Sequence, residues 1–378
     1  MDLLDRYRGC LMGGAVGDAL GYPVEFLTLD QIRAKYGPAG ITGLDRTEGT
    51  AQISDDTQMS LFTANGLLYG ETRRTLRGIG GPYSLYIWSC YQDWLDTQEK
   101  SWPVKKDFHT SWLINDPRFF HRRAPGSTCL SAIAGGVPGS MASPINHSKG
   151  CGGVMRVAPV GLYLMPEGAA QTAAEAAALT HGHELGWLPA AALAWLISQA
   201  VHRDRSLDQA AADLPKALKR LFPKARQQEV LTALLDRAVD LAAGSRPDPE
   251  AIVSLGEGWV AEEALAIALY CALRYPGDFR QALIAAVNHS GDSDSTGALT
   301  GNLMGASLGL AAIPERLRHG LELSDVVLEL ADDLHAGCRA GSTTTSRVEN
   351  GRTILSIGDY CDPVWERKYV LADYRTEH

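Results

Sequence analysis

Apolar residues recur three and four positions apart along most of this chain, the spacing that lays one face of an α-helix against a core. Alanine- and leucine-rich stretches of this kind cover 5–20, 56–68, 85–95, 170–179, 187–202, 207–221, 227–243, 260–272, 279–287, 295–310 and 323–334. Strict alternation of apolar and polar residues is scarce, and 352–357 is the stretch that reads as a strand. The pattern predicts an all-α fold. Two of the helices carry glycine at every fourth position: Gly13, Gly17 and Gly21 in one, Gly297, Gly301, Gly305 and Gly309 in the other. Residues four apart share a helix face, so each row of glycines lets a neighbouring backbone come close. Every such glycine gives up roughly 1 kcal/mol of helix propensity relative to alanine, and tight packing is expected to offset that loss. The string 14–21 is therefore read as a central helix and not as a phosphate-binding loop.

Length and composition narrow the picture. The 378 residues allow one large domain or two ordinary ones, a hydrophobic share of 45% is ample for a core, and no linker divides the chain. A net charge of −9 argues against a nucleic-acid backbone or an anionic membrane as the main partner. The short basic runs Arg73, Arg74, Arg77 and His121, Arg122, Arg123 read as solvated surface. Seven scattered cysteines with no CxxC pair fit reduced thiols, and the charged start at Asp2, Asp5, Arg6 and Arg8 offers no secretory apolar region. A cytoplasmic protein is expected. The apolar stretch 297–313 is interrupted by Asn302 and falls short of the ~20 residues a membrane span needs, so it is read as a buried helix.

The candidate chemistry sits in two acidic strings, Ser54-Asp55-Asp56-Thr57 and Asp292-Ser293-Asp294-Ser295-Thr296, each poised to enter a helix. Ser54, Asp55 and Thr296 are ordinary N-cap types, and Asp55 with Gln58 fits a capping box. One such residue caps a helix, however, and each string carries a surplus. Carboxylates and hydroxyls are hard oxygen ligands suited to Mg²⁺ or Mn²⁺. If the fold joins the strings, a binuclear site results, with ions about 3.5–4 Å apart. His181 and His183 flank Gly182, but no Cys or Glu-x-x-His partner completes a zinc site.

The strings Gly17-Asp18-Ala19-Leu20-Gly21, Ile53-Ser54-Asp55-Asp56-Thr57, Gly150-Cys151-Gly152-Gly153-Val154-Met155-Arg156, Thr180-His181 and Gly291-Asp292-Ser293-Asp294-Ser295-Thr296 occur in one order. In that order they resemble the ADP-ribosylglycohydrolases, among them the ADP-ribosylarginine hydrolases and the dinitrogenase-reductase-activating glycohydrolase. The resemblance covers about 5–334, and the glycine loop with Thr180-His181 looks nearest to the arginine-specific branch. It implies a compact all-α domain over 1–340, leaving 341–378 as an extension that packs on the core or contacts a partner. It also implies two Mg²⁺ or Mn²⁺ ions beneath an ADP-ribose cleft, with Ser54, Asp55 and Asp56 as ligands from one side and Asp292, Asp294 and Ser295 from the other.

The implied reaction cleaves the bond between the anomeric carbon of ADP-ribose and a protein side chain, arginine first. Asp55 or Asp56 is the expected base. Glu25 either contacts substrate or is a loop carboxylate. Gly150, Cys151, Gly152, Gly153 and Met155 would form an anion nest for the diphosphate, with Gly126, Ser127 and Thr128 contributing ahead of a helix or forming a plain turn. Arg156 pairs with phosphate or with a structural carboxylate, His181 contacts ribose or adenine, and His289 buttresses the second acidic string. Tyr83, Tyr86, Tyr91 and the tryptophans are expected mostly in the core, with one ring available to stack on adenine. The aromatic-basic segment 101–123 exceeds the family core and is expected to be a substrate-facing loop.

Three functions fit these residues. The first is a hydrolase acting on ADP-ribosylated protein, which would counteract an ADP-ribosyltransferase. The second is an immunity protein that blocks a cognate transferase directly. The third is a hydrolase of serine-linked ADP-ribose, O-acetyl-ADP-ribose or free nucleotides.

Overall fold

The structure is a computed structural model that describes residues 2–78, 80–106, 108–349 and 352–375, with backbone alone for 342–359. Seventeen α-helices and a single two-stranded sheet are found among the described residues, so the fold is all-α.

Two helices form its centre, Leu3–Gly21 and Ser293–Leu308. Both are buried nearly all round, and their glycine rows face each other. A Cβ placed on Gly17 would meet the Gly297 carbonyl oxygen at 2.0 Å, and one on Gly13 would meet that of Gly301 at 2.3 Å. Backbone therefore lies directly on backbone, and Asn302 ties the pair further by donating to the Cys10 carbonyl at 2.8 Å. This contact carries Asp18 of the first helix to the acidic N-terminus of the second.

The helix Asp55–Arg77 packs against the central pair and against Tyr83–Glu99. Its N-terminus points into the protein and its C-terminus meets the end of the chain. The helix Glu184–Arg203 is the one described helix long and apolar enough to cross a membrane, yet most of it lies in the core. The helix expected over 295–310 is likewise buried.

The extension opens with an antiparallel hairpin, Ala340–Glu349 (β1) and Arg352–Cys361 (β2), in the register Ala340↔Cys361. The expected strand 352–357 lies within β2. The helix Pro363–Tyr369 follows and docks on the core. Trp365 donates to the Thr72 hydroxyl at 2.9 Å, while buried Lys368 bridges Glu329 at 2.6 Å and Asp333 at 2.7 Å. Residues 376–378 of the extension lie outside the described residues.

The capping expectations change in detail. Ser54 caps its helix by accepting from the Asp56 amide at 3.2 Å. No Asp55–Gln58 box forms, because the Gln58 side chain is engaged by Trp94 and the His121 carbonyl. Asp292, not Thr296, caps the second acidic helix.

Candidate active site

Asp18 organises the first acidic string. It is fully buried, and its two carboxylate oxygens accept the Ser54 amide at 2.9 and 3.0 Å, the Thr57 amide at 3.1 Å and the Thr57 hydroxyl. The Asp55 carboxylate accepts from the Gly126 amide at 3.3 Å, and the Asp55 amide donates to the Arg123 carbonyl at 3.1 Å. Across the site, Gly291 adopts φ +142°, and a Cβ there would meet the Glu257 carbonyl at 2.0 Å, so only glycine lets Asp292 enter its helix at this point. His289 contacts the Thr296 hydroxyl at 2.9 Å and so supports the second string from behind, as expected.

A cavity of about 400 Å³ opens between these strings. Glu25, Asp55, Asp56, Asp292, Asp294 and Ser295 line its acidic side. Gly126, Ser127, Gly150, Cys151, Gly152, Met155 and His181 line the rest. Two of the expected residues lie behind this lining. Ser54 is buried beneath it, and Gly153 packs on Gly186, whose carbonyl a Cβ would meet at 2.8 Å. At the mouth, exposed Phe26 stacks on Trp259 with ring centroids 5.7 Å apart and planes 18° from parallel.

The electrostatics are those of crowded acids. Burial, reinforced by Asp294, pushes Asp18 up to about 7. Burial followed by Asp294 and Asp292 pushes Glu25 up to about 10. Asp55, Asp56 and Asp292 all sit well above the ordinary carboxylate range, and Asp294 is raised too, burial being the first cause in each. Glu25 Oε2 and Asp56 Oδ2 have no hydrogen-bond partner, although both side chains are more than nine-tenths buried.

Among the described residues no three His, Cys, Asp or Glu side chains are gathered as a ready-made metal cage. The donor set nevertheless fits hard cations: oxygen ligands from two facing strings, two orphaned buried oxygens, and mutual repulsion that positive charge would relieve.

Several expectations are corrected here. Arg156 does not reach the cavity. It is wholly buried, donates to the Ala176 carbonyl at 3.1 Å and Thr180 at 2.6 Å, and lies over the Tyr91 ring at 4.4 Å, so its role is structural and its partners are not carboxylates. The Gly126 amide is committed to Asp55, which leaves Ser127 and Thr128 as the free first-turn donors of their helix. His183 caps the following helix by accepting from the Leu185 amide at 3.0 Å. The segment 101–123 turns away from the cleft over its first part. Its Phe108 lines a different cavity with Arg73, about 27 Å from Asp55 along the connecting helix. His181 does face the glycine loop, and burial with the Arg156 charge lowers it to about 3, so its ring is neutral. Among the tyrosines and tryptophans, Trp259 alone lines the cavity.

Asp18 and Thr57 belong to the site but were given no role of their own within their sequence motifs, and Phe26 and Trp259 were not singled out from the sequence. Asp18 had a signal: it is the only charge in the glycine-rich stretch 9–21. Phe26 and Trp259 meet only through the fold.

Comparison with known proteins agrees with this architecture. The sequence pattern described as ADP-ribosylglycohydrolase matches residues 1–343. The ADP-ribosyl-[dinitrogen reductase] glycohydrolase of Rhodospirillum rubrum is 29% identical over 317 residues, covering 82% of this chain and 88% of its own. The ADP-ribosylhydrolase ARH3 of Homo sapiens is 25% identical over 362 residues, covering 88% and 93%. A solved structure described as an ADP-ribosylglycohydrolase-related protein complex superposes with a TM-score of 0.57 at 26% identity, covering 88% of this chain and 98% of that one. With a match that runs over nine-tenths of its length, this chain belongs to the ADP-ribosylglycohydrolase family.

Proposed function

We propose that this protein hydrolyses the bond joining ADP-ribose to a protein side chain, with arginine as the acceptor. The observation that carries the reading is the convergence of Glu25, Asp55, Asp56, Asp292 and Asp294 on one cavity with two buried oxygens left unpartnered. Asp55, Asp56 and Ser54 from one side, with Asp292, Asp294 and Ser295 from the other, would hold two divalent cations, Mg²⁺ or Mn²⁺. Such ions, when bound, supply Lewis-acid charge that fixes ribose hydroxyls and lowers the pKa of water.

The chain's own residues do the remainder. Breaking the glycosidic bond builds positive character at the anomeric carbon, which the surrounding carboxylates stabilise. Asp55 is anchored by Gly126, whereas Asp56 keeps a free oxygen and so serves as the acceptor for the proton of the attacking water. Glu25 lies beside Phe26 at the mouth, where a carboxyl group held protonated by burial and then by its acidic neighbours donates to the departing side chain. The flat Phe26–Trp259 pair suits a guanidinium, which stacks on aromatic faces, and this supports arginine over serine. The modified protein is thus the substrate, and a cognate ADP-ribosyltransferase is the activity it would counteract.

The test is release of ADP-ribose from arginine-modified and serine-modified protein, each with Mg²⁺ or Mn²⁺ and with EDTA. Cation-dependent release from arginine supports the reading. Release from serine alone overturns the linkage, and release from neither substrate by folded, cation-loaded protein overturns the hydrolase itself. Protection against a transferase that survives Asp55→Ala with Asp56→Ala would instead indicate direct blockade.

A further inference from the structure

A second cavity, of about 550 Å³, lies at the opposite end of the helix Asp55–Arg77 from the cleft. Three separate pieces of chain build it. The helix contributes Tyr69, Arg73 and Arg77, the segment 101–123 contributes Phe108, and the extension contributes Tyr360 and Glu366. The last two lie beyond residue 343, where the family match ends. The extension therefore supplies part of the lining from beyond the family match.

Its lining has a definite chemistry. Arg73 and Arg77 stand one turn apart on the same helix face, and Glu366 is the only acid among the lining residues. Arg73 is steadied by the Tyr69 ring, 5.7 Å from its guanidinium carbon, and donates to the Tyr69 hydroxyl at 3.1 Å. Arg77 has no ion-pair partner among the described residues. Basic residues at a helix C-terminus complement its partial negative charge, which accounts for one arginine there. That does not account for the rings of Phe108 and Tyr360, 59% and 52% exposed, which distant segments bring to the same cavity. Paired guanidiniums suit a phosphate, and uncovered aromatic faces suit a flat base.

We propose that this cavity is a second ligand site that takes a nucleoside phosphate, its base against Phe108 and Tyr360 and its phosphate on Arg73 and Arg77. The site is independent of the hydrolase reading, since none of its residues lines the cleft.

The full-length protein is titrated with AMP and with inorganic phosphate, and 8-azido-AMP is photo-crosslinked and its attachment sites mapped. The expected label falls on peptides carrying Tyr69, Phe108 or Tyr360. The double variant Arg73→Gln with Arg77→Gln should bind AMP roughly a hundredfold more weakly, two charge-assisted contacts being lost. All three substituted positions, including Tyr360→Ala as a second variant, are exposed, so an unchanged melting temperature confirms that the fold is kept. Label confined to 124–129 and 150–155, AMP affinity unchanged in both variants, or inorganic phosphate competing as well as AMP would each overturn the proposal.

Discussion

Asp18→Asn tests whether Asp18 is held in place at a cost that only its site justifies. The wild-type carboxyl is raised from 3.8 to about 7, a difference of about 4 kcal/mol in favour of the protonated form. In metal-free protein at pH 8 it is nonetheless charged, so the native state carries that penalty. Asparagine removes the charge and keeps one oxygen to accept from Ser54. Its amide nitrogen then faces the Thr57 amide, and losing that charge-assisted acceptor costs about 1.5–3 kcal/mol. The burial penalty wins. The variant should be more stable than wild type by about 1–2.5 kcal/mol.

The sign with pH follows from linkage. A carboxyl whose folded pKa exceeds its unfolded one binds more protons in the native state between about pH 4 and 7, so stability falls as pH rises through that window. The advantage of Asp18→Asn should therefore shrink at pH 5, where wild-type Asp18 is mostly protonated. Urea unfolding of EDTA-treated protein at pH 5 and pH 8 measures both quantities. Added Mn²⁺ should then raise the unfolding midpoint of wild type more than that of the variant, because the negative cluster has lost a member. A variant destabilised by more than about 2 kcal/mol at pH 8 without metal would refute the reasoning, since the hydrogen bonds of Asp18 would then outweigh the burial of its charge.

Three other perturbations probe separate parts of the structure. Gly17→Ala places a Cβ 2.0 Å from the Gly297 carbonyl, where the nearest atoms are all backbone and cannot turn aside. The gain of about 1 kcal/mol in propensity should be outweighed by a packing cost of about 3 kcal/mol or more, seen as a lower urea midpoint. Trp259→Leu removes a flat face at the mouth, so KM for arginine-modified protein should rise roughly threefold to thirtyfold with kcat little changed; an unchanged KM would remove the stacking argument for arginine. Lys368→Met leaves Glu329 and Asp333 without their buried cation, a loss of about 3–5 kcal/mol, and should let a protease cut within 340–375 far faster than in wild type.

What could be read from the chain follows the range of each interaction. Helical periodicity is local, and it placed the main helices and the all-α class without help from the fold. The glycine rows were also visible, since residues four apart on one helix announce a close approach. Their partner was not, because nothing near Gly17 says that Gly297 is the backbone it meets. The acidic strings were recognisable by residue type, and the fold does set Asp55 and Asp56 opposite Asp292 and Asp294. Capping was misassigned where a competing partner came from elsewhere, Gln58 being taken by Trp94, 36 residues away, and the Gly126 amide, read as an anion donor, is likewise taken by Asp55.

The least legible feature was the one on which the site's geometry depends. Asp18 looks like an isolated charge in an apolar helix, an unfavourable placement on its own. Its purpose is apparent only when the glycine contact fixes the first helix against the second, which brings Asp18 beneath Ser54 and Thr57 and within range of Asp294. The small residues and the buried charge are thus one device. Closing the backbone gap between the central helices is what brings the two acidic strings to a single cavity, and a side chain inserted at Gly17 should loosen that cavity even though it touches none of its lining.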